Sequence, residues 1–119
     1  HAEAVRRIGE ARRLSPFDPL AFFFDTSLMV PHLMLGAFGR VVELGRRAAV
    51  LNPTLSSTFK LLLSALGHMG AHDEAHQVRR RLLALEPDYT LAEATIRSTF
   101  RRPEDLTLFR DGLAKGGLA

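Results

Sequence analysis

Three histidines recur every four residues, at His68, His72 and His76. On one unbroken helix that spacing would stack three imidazoles on a single face, a geometry able to hold zinc. Gly70 falls between the first and the second, however, and a glycine at that point reads as a turn. What remains is His72-Asp73-Glu74-Ala75-His76. The zinc-binding helix motif with two histidines four apart places glutamate directly after the first histidine, where this chain has Asp73. A histidine pair with no further ligand makes a poor metal site. The expectation is solvated imidazoles, no metal and no other cofactor.

Other reactive groups are equally scattered. Ser15, Ser27, Ser56, Ser57, Ser64 and Ser98 have no nucleophile-elbow context, and no glycine loop suited to phosphates is present. Glu3, Glu10, Glu43, Glu74 and Glu93 fall on helix faces that solvent explains. No catalytic residue is assigned, and the chain itself reads as a non-enzyme. Net charge is +3, carried almost wholly by arginine. The arginines cluster as Arg6-Arg7, Arg12-Arg13, Arg46-Arg47 and Arg79-Arg80-Arg81. No aromatic residue is interleaved with them, and neighbours on a helix diverge by about 100°. Nucleic-acid binding is therefore the lesser reading and solvated helix faces the better one. There is no cysteine, and no apolar run reaches the roughly 18 residues that span a bilayer. No membrane insertion is expected, and the expected location is cytoplasmic.

The elements that carry these side chains are marked by punctuation. Leu14-Ser15-Pro16, Leu51-Asn52-Pro53 and Leu85-Glu86-Pro87 recur after 37 and then 34 residues. Apolar residues at helical spacing precede each tag: Ala4, Ile8, Ala11 and Leu14; Val41, Leu44, Ala48 and Leu51; Ala75, Val78, Leu82 and Leu85. The residue before a proline is pushed out of the α region, so each tag ends its helix. Between them, helices are expected over Leu20–Leu35 and Leu55–Met69. Gly36 and Gly70 close these, each 17 residues before the following tag proline. The remainder departs from the pattern. Thr90-Leu91-Ala92-Glu93 is a capping box opening a helix to about Phe100, and Pro103-Glu104-Asp105 opens a last one with Leu106, Phe109 and Leu113 as its apolar stripe.

A repeat of 34 residues resembles the tetratricopeptide unit of paired antiparallel helices. Gly70-Ala71-His72-Asp73-Glu74-Ala75 through Leu85-Glu86-Pro87 is similar to the second half of such a unit. Ala11, Ala48 and Ala75 stand where that family places small residues. Met29 and Leu63 replace its usual glycine, so the repeats are degenerate. The expected fold is all-α: an α-solenoid of about two and a half repeats with a C-terminal helical cap. Residues 1–16 would be the second helix of a truncated repeat, 19–53 and 55–87 repeats, and 89–119 the cap. Leu14-Ser15-Pro16-Phe17-Asp18-Pro19, Phe100-Arg101-Arg102-Pro103-Glu104-Asp105 and Gly112-Leu113-Ala114-Lys115-Gly116-Gly117-Leu118 resemble, in order, the repeat-bearing C-terminal tails of bacterial class III adenylate/guanylate cyclases and of some winged-helix regulators. The start, His1-Ala2-Glu3-Ala4, enters mid-helix, so a longer protein is expected, with an effector domain upstream.

In the tetratricopeptide family the first helix of each unit lines a concave groove. The resemblance implies a groove of Phe23, Thr26, Val30, Leu33 and Met34 on one helix and Ser57, Lys60, Ser64 and His68 on the next. Its apolar wall and single lysine would suit a protein or peptide partner with an apolar anchor. Phe23, Leu33 and Met34 could instead be core. Phe22-Phe23-Phe24 points in three directions round its helix, which offers an edge for a homodimer that would pair upstream effector domains.

Overall fold

The computed structural model describes His1, Ala2, Ala4, Val5 and residues 21–119, with side chains in the first long helix from Ser27 onward. Most of the expected first helix, over residues 1–16, therefore lies outside the described residues. Among the described residues the chain is all-helical. Its helices are α1 (Ala21–Met34), α2 (Phe38–Leu51), α3 (Ser56–Met69), α4 (His72–Leu85), α5 (Leu91–Ile96) and α6 (Pro103–Lys115).

The two central pairs repeat one another closely. All four helices have 14 residues. Gly36 and Gly70 turn the chain at φ 78° and 69°, a left-handed conformation that is strained for any residue with a Cβ. Ala37 and Ala71 then start the second helices, both at φ −82°. The tags repeat in the same way. Asn52 and Glu86 sit at φ −142°, ψ 83° and φ −134°, ψ 81°, and their N–H groups donate to Ala48 O and Leu82 O. Pro53 and Pro87 keep both residues out of the α region, so the local steric rule acts twice. Arg46 of α2 joins the pairs, its Nε 2.9 Å from Glu74 Oε2 in the first turn of α4 and its Nη2 on the other carboxylate oxygen.

α3 lies at the centre. It packs against α2, α4 and α6 and touches α1. Leu61 to Gly67 are buried without interruption, the pattern of a helix covered on every side. α2 and α4 keep an apolar stripe: Val41, Leu44 and Ala48 in one, Ala75, Val78 and Leu82 in the other.

The last segment, expected as a cap, packs mainly on the first helix of the second pair. α6 seats on α3, and just past its end Gly116 O accepts from Arg79 Nη1 of α4 at 2.8 Å. The α3–α6 crossing is a backbone contact. A Cβ on Gly67 would lie 1.9 Å from Gly112 O, and one on Gly112 would lie 2.3 Å from Ser64 O. Ser64 Oγ donates across it to Phe109 O at 2.9 Å. α5 is also shorter than expected. Thr90 Oγ1 accepts from Glu93 N at 3.2 Å as its cap, but the helix stops at Ile96 rather than near Phe100. Ser98 Oγ accepts the Phe100 N–H at 3.1 Å, a local bond that competes with the helical ladder. Phe100 then packs on Phe109 with ring centroids 5.2 Å apart.

Gly112→Ala or Gly67→Ala should cost about 2–3 kcal/mol in urea unfolding, because a methyl group meets backbone that cannot yield. Gly45→Ala is the control. Its Cβ would meet the side-chain ends of Leu62 and Met29 at 3.0 Å and Leu62 Cβ at 3.3 Å, with no backbone atom of another helix among these contacts, and should cost less than either crossing variant, about 1 kcal/mol. Equal losses at the three positions would show that the crossing is not the tight point of the fold.

Candidate functional site

The third tag supplies the anchor. Glu86 ends α4 and turns its carboxylate toward α3, placing Oε2 2.8 Å from Lys60 Nζ. Arg97, just past α5, donates to its other oxygen, and Ser56 at the start of α3 adds a hydrogen bond. Partial burial pushes the Glu86 carboxyl up, but the bonds from Lys60, Ser56 and Arg97 outweigh it and hold the group down at about 2. Lys60 Nζ also stands 4.3 Å from the Tyr89 ring centroid, with the Arg97 guanidinium 5.7 Å away. The ring face attracts both cations. Tyr89 is buried, and desolvation raises its hydroxyl to about 12, so it stays protonated.

Beside this cluster opens a pocket of about 640 Å³. α1 contributes Val30, and α3 contributes Ser57, Lys60 and Leu61. Tyr89, Ala94 and the connection Arg97-Ser98-Thr99-Phe100-Arg101-Arg102 form the opposite wall. Asp105 and Phe109 of α6 complete it, with His1 Nε2 at 2.9 Å from Asp105 Oδ2. Val30, Leu61, Ala94, Phe100 and Phe109 make the walls apolar. Lys60, Arg97, Arg101 and Arg102 face Asp105 as the one carboxylate among the described lining residues. Arg102 is held by Glu104, Nε to Oε1 at 2.8 Å.

Of the residues expected in a groove, Val30, Ser57 and Lys60 meet at this pocket. Leu33 is buried in the core at 0% exposure, and Met34 packs partly buried against it. Ser64 is fully buried at the α6 crossing. His68 stacks on Phe38 with centroids 4.6 Å apart, and its Nε2 lies 2.6 Å from Leu108 O. The reading of Leu33, Ser64 and His68 as open groove lining is thus corrected. α6 lies along that face of α3, and the two polar side chains already have partners within the chain. Lys60 is likewise engaged by Glu86 rather than standing alone as a charge. The side chains of Phe23 and Thr26, and the Phe22–Phe24 edge offered for self-pairing, lie outside the described residues.

The remaining cations are largely structural. Arg46 binds Glu74, Arg79 binds Gly116 O, and Arg81 lies 4.5 Å from the Phe59 ring centroid. His76 Nδ1 accepts from Arg79 Nη2 at 2.7 Å. Among the described residues, no three histidine or carboxylate side chains gather closely enough to hold a metal ion, and no helix is long and apolar enough to cross a membrane. Sequence reasoning missed Glu86, Tyr89, Arg97, Phe100, Arg101 and Arg102. The available signal was the capping box followed by the polar, basic run Arg97–Arg102, which marks a break in helix structure.

No protein-family model, curated protein or solved structure matches the chain.

The Glu86 cluster has a pH signature. A carboxyl at about 2 in the folded chain and near 4.5 when unfolded contributes stability above pH 4.5, and that contribution is lost as pH falls from 4.5 toward 2. Glu86→Gln should lower stability at neutral pH by about 1–2 kcal/mol, since Lys60 keeps its half-buried charge without a counter-ion. It should also flatten the decline between pH 4.5 and 2 in urea titrations. An unchanged acid limb in the variant would show that other carboxylates govern it.

Proposed function

We propose that this chain is a protein-interaction module of about two and a half tetratricopeptide-like helix pairs with a helical cap. Its place would be the C-terminal regulatory or scaffolding region of a bacterial multidomain protein such as an adenylate/guanylate cyclase. The observation that carries the reading is the meeting of Val30, Ser57 and Lys60, from the first helix of each pair, at one open apolar pocket. The repeated glycine turns and tags support the helix-pair interpretation. In this reading a partner segment inserts an apolar side chain between Val30, Leu61 and Phe100. Ser57, exposed at the rim, hydrogen-bonds the segment's main chain. The task is recognition, with catalysis left to the upstream domain, and the setting is the cytoplasm, as the cyclase resemblance implies.

Selection of a random peptide library on the purified chain tests it. Enriched peptides should bind wild type and lose at least about tenfold in affinity, about 1.4 kcal/mol, to Ser57→Trp. That variant fills the pocket mouth from an exposed position and leaves the core alone. Arg80→Glu, an exposed site on α4 remote from the pocket lining, should bind as wild type. Failure to enrich any peptide, or binding indifferent to Ser57→Trp, would count against the reading.

A further inference from the structure

The pocket has the size and charge of a small-molecule site, which goes beyond recognition of a protein segment. At about 640 Å³ it lies within the range of cavities that enclose a small ligand. Val30, Leu61, Ala94, Phe100 and Phe109 give it apolar lining, and its guanidinium groups come from the Arg97–Arg102 connection. Phe100 is held by the Phe109 ring, so the apolar wall is preorganised rather than collapsed. The Arg97–Arg102 connection brings three guanidinium groups to the same rim. Glu86 occupies Arg97 and Glu104 occupies Arg102. Arg101 is exposed and has no ion-pair partner among the described residues. Asp105, the carboxylate on the opposite side, is buried and held by His1. Arg101 is thus the lining cation left to pair with a ligand, and an anionic group would complement it where a cation would be repelled.

We infer that the pocket binds a small amphipathic monoanion, a carboxylate on an alkyl or aryl body. The body would lie against Val30, Leu61 and Phe100, and the carboxylate would be received by Arg101, whose planar fork suits bidentate pairing. Such a ligand would occupy the space assigned above to a partner's apolar side chain, and would compete with it. The inference stands without any partner protein, so it can fail or hold independently of that reading.

The test is titration of the isotopically labelled chain with hexanoate, octanoate, decanoate and phenylbutyrate, followed by amide chemical shifts. Saturable shifts should map to Ser57, Leu61 and residues 97–102. Affinity should rise about fourfold for each methylene until the chain outgrows the pocket. The corresponding neutral amides should bind about tenfold more weakly, and Arg101→Glu should weaken the acids by a similar factor while leaving the spectrum of the free protein folded. Arg101→Ala should give an intermediate loss. Absence of saturable shifts overturns the inference. So does equal binding of acids and amides, and so does an affinity untouched by Arg101→Glu. Peptide capture that persists through any of these results would leave the partner reading intact and remove only the small anion.

Discussion

The fold depends on the contact between Gly67 and Gly112, where α3 and α6 meet backbone to backbone. No side chain separates them, and a Cβ on either glycine would overlap the other helix. Because α6 can approach so closely, Ser64 reaches Phe109 O and His68 comes within bonding distance of Leu108 O. These groups would otherwise be polar atoms on a face with nothing to bond. The same approach sets Phe109 beneath Phe100 and thereby builds the inner wall of the pocket. Helix crossing, polar satisfaction and pocket shape are consequences of two missing side chains.

Glu86 illustrates how a local device acquires a distant role. Its backbone conformation follows from Pro87 and matches that of Asn52 before Pro53. Its side chain does something Asn52 does not, gathering Lys60 and Arg97 onto one carboxylate. An ion pair of this partial burial is worth little as an isolated contact. Here it fixes the direction of Lys60 over Tyr89 and the exit of the chain from α5. It therefore positions the basic rim as well as stabilising the fold.

What could be read from the residues alone follows the range of the interactions. Helices expected over Leu20–Leu35 and Leu55–Met69 occur as Ala21–Met34 and Ser56–Met69. Their ends are written by neighbours in sequence: a glycine able to take positive φ, or a proline acting on the residue before it. Of the expected stripe Leu106, Phe109 and Leu113, the last two are buried and Leu106 is half-buried; it was legible for the same reason, being periodic within one helix. The seat of α6 was not. Gly112 and Gly116 look like helix punctuation until Gly67 and Leu63 are placed against them. Ser64 and His68 look like solvent-facing groove residues until a second helix covers them. Val30, Ser57 and Lys60 line one pocket, whereas the arginines opposite them come from a connection that Glu86 and Phe109 hold through Arg97 and Phe100.

In an open stack of helix pairs each unit leans on its immediate neighbours and can fold as it is made. Here the hydrogen bond from Ser64 to Phe109 joins residues 45 apart in sequence. During synthesis at about 5–20 residues per second, α3 exists for roughly 2–9 s before the helix that completes its burial emerges. Through that interval the face of Leu63 and Gly67 that α6 covers has no partner from that helix. The burial of α3 is therefore completed by the last helix of the described chain and not by its own pair.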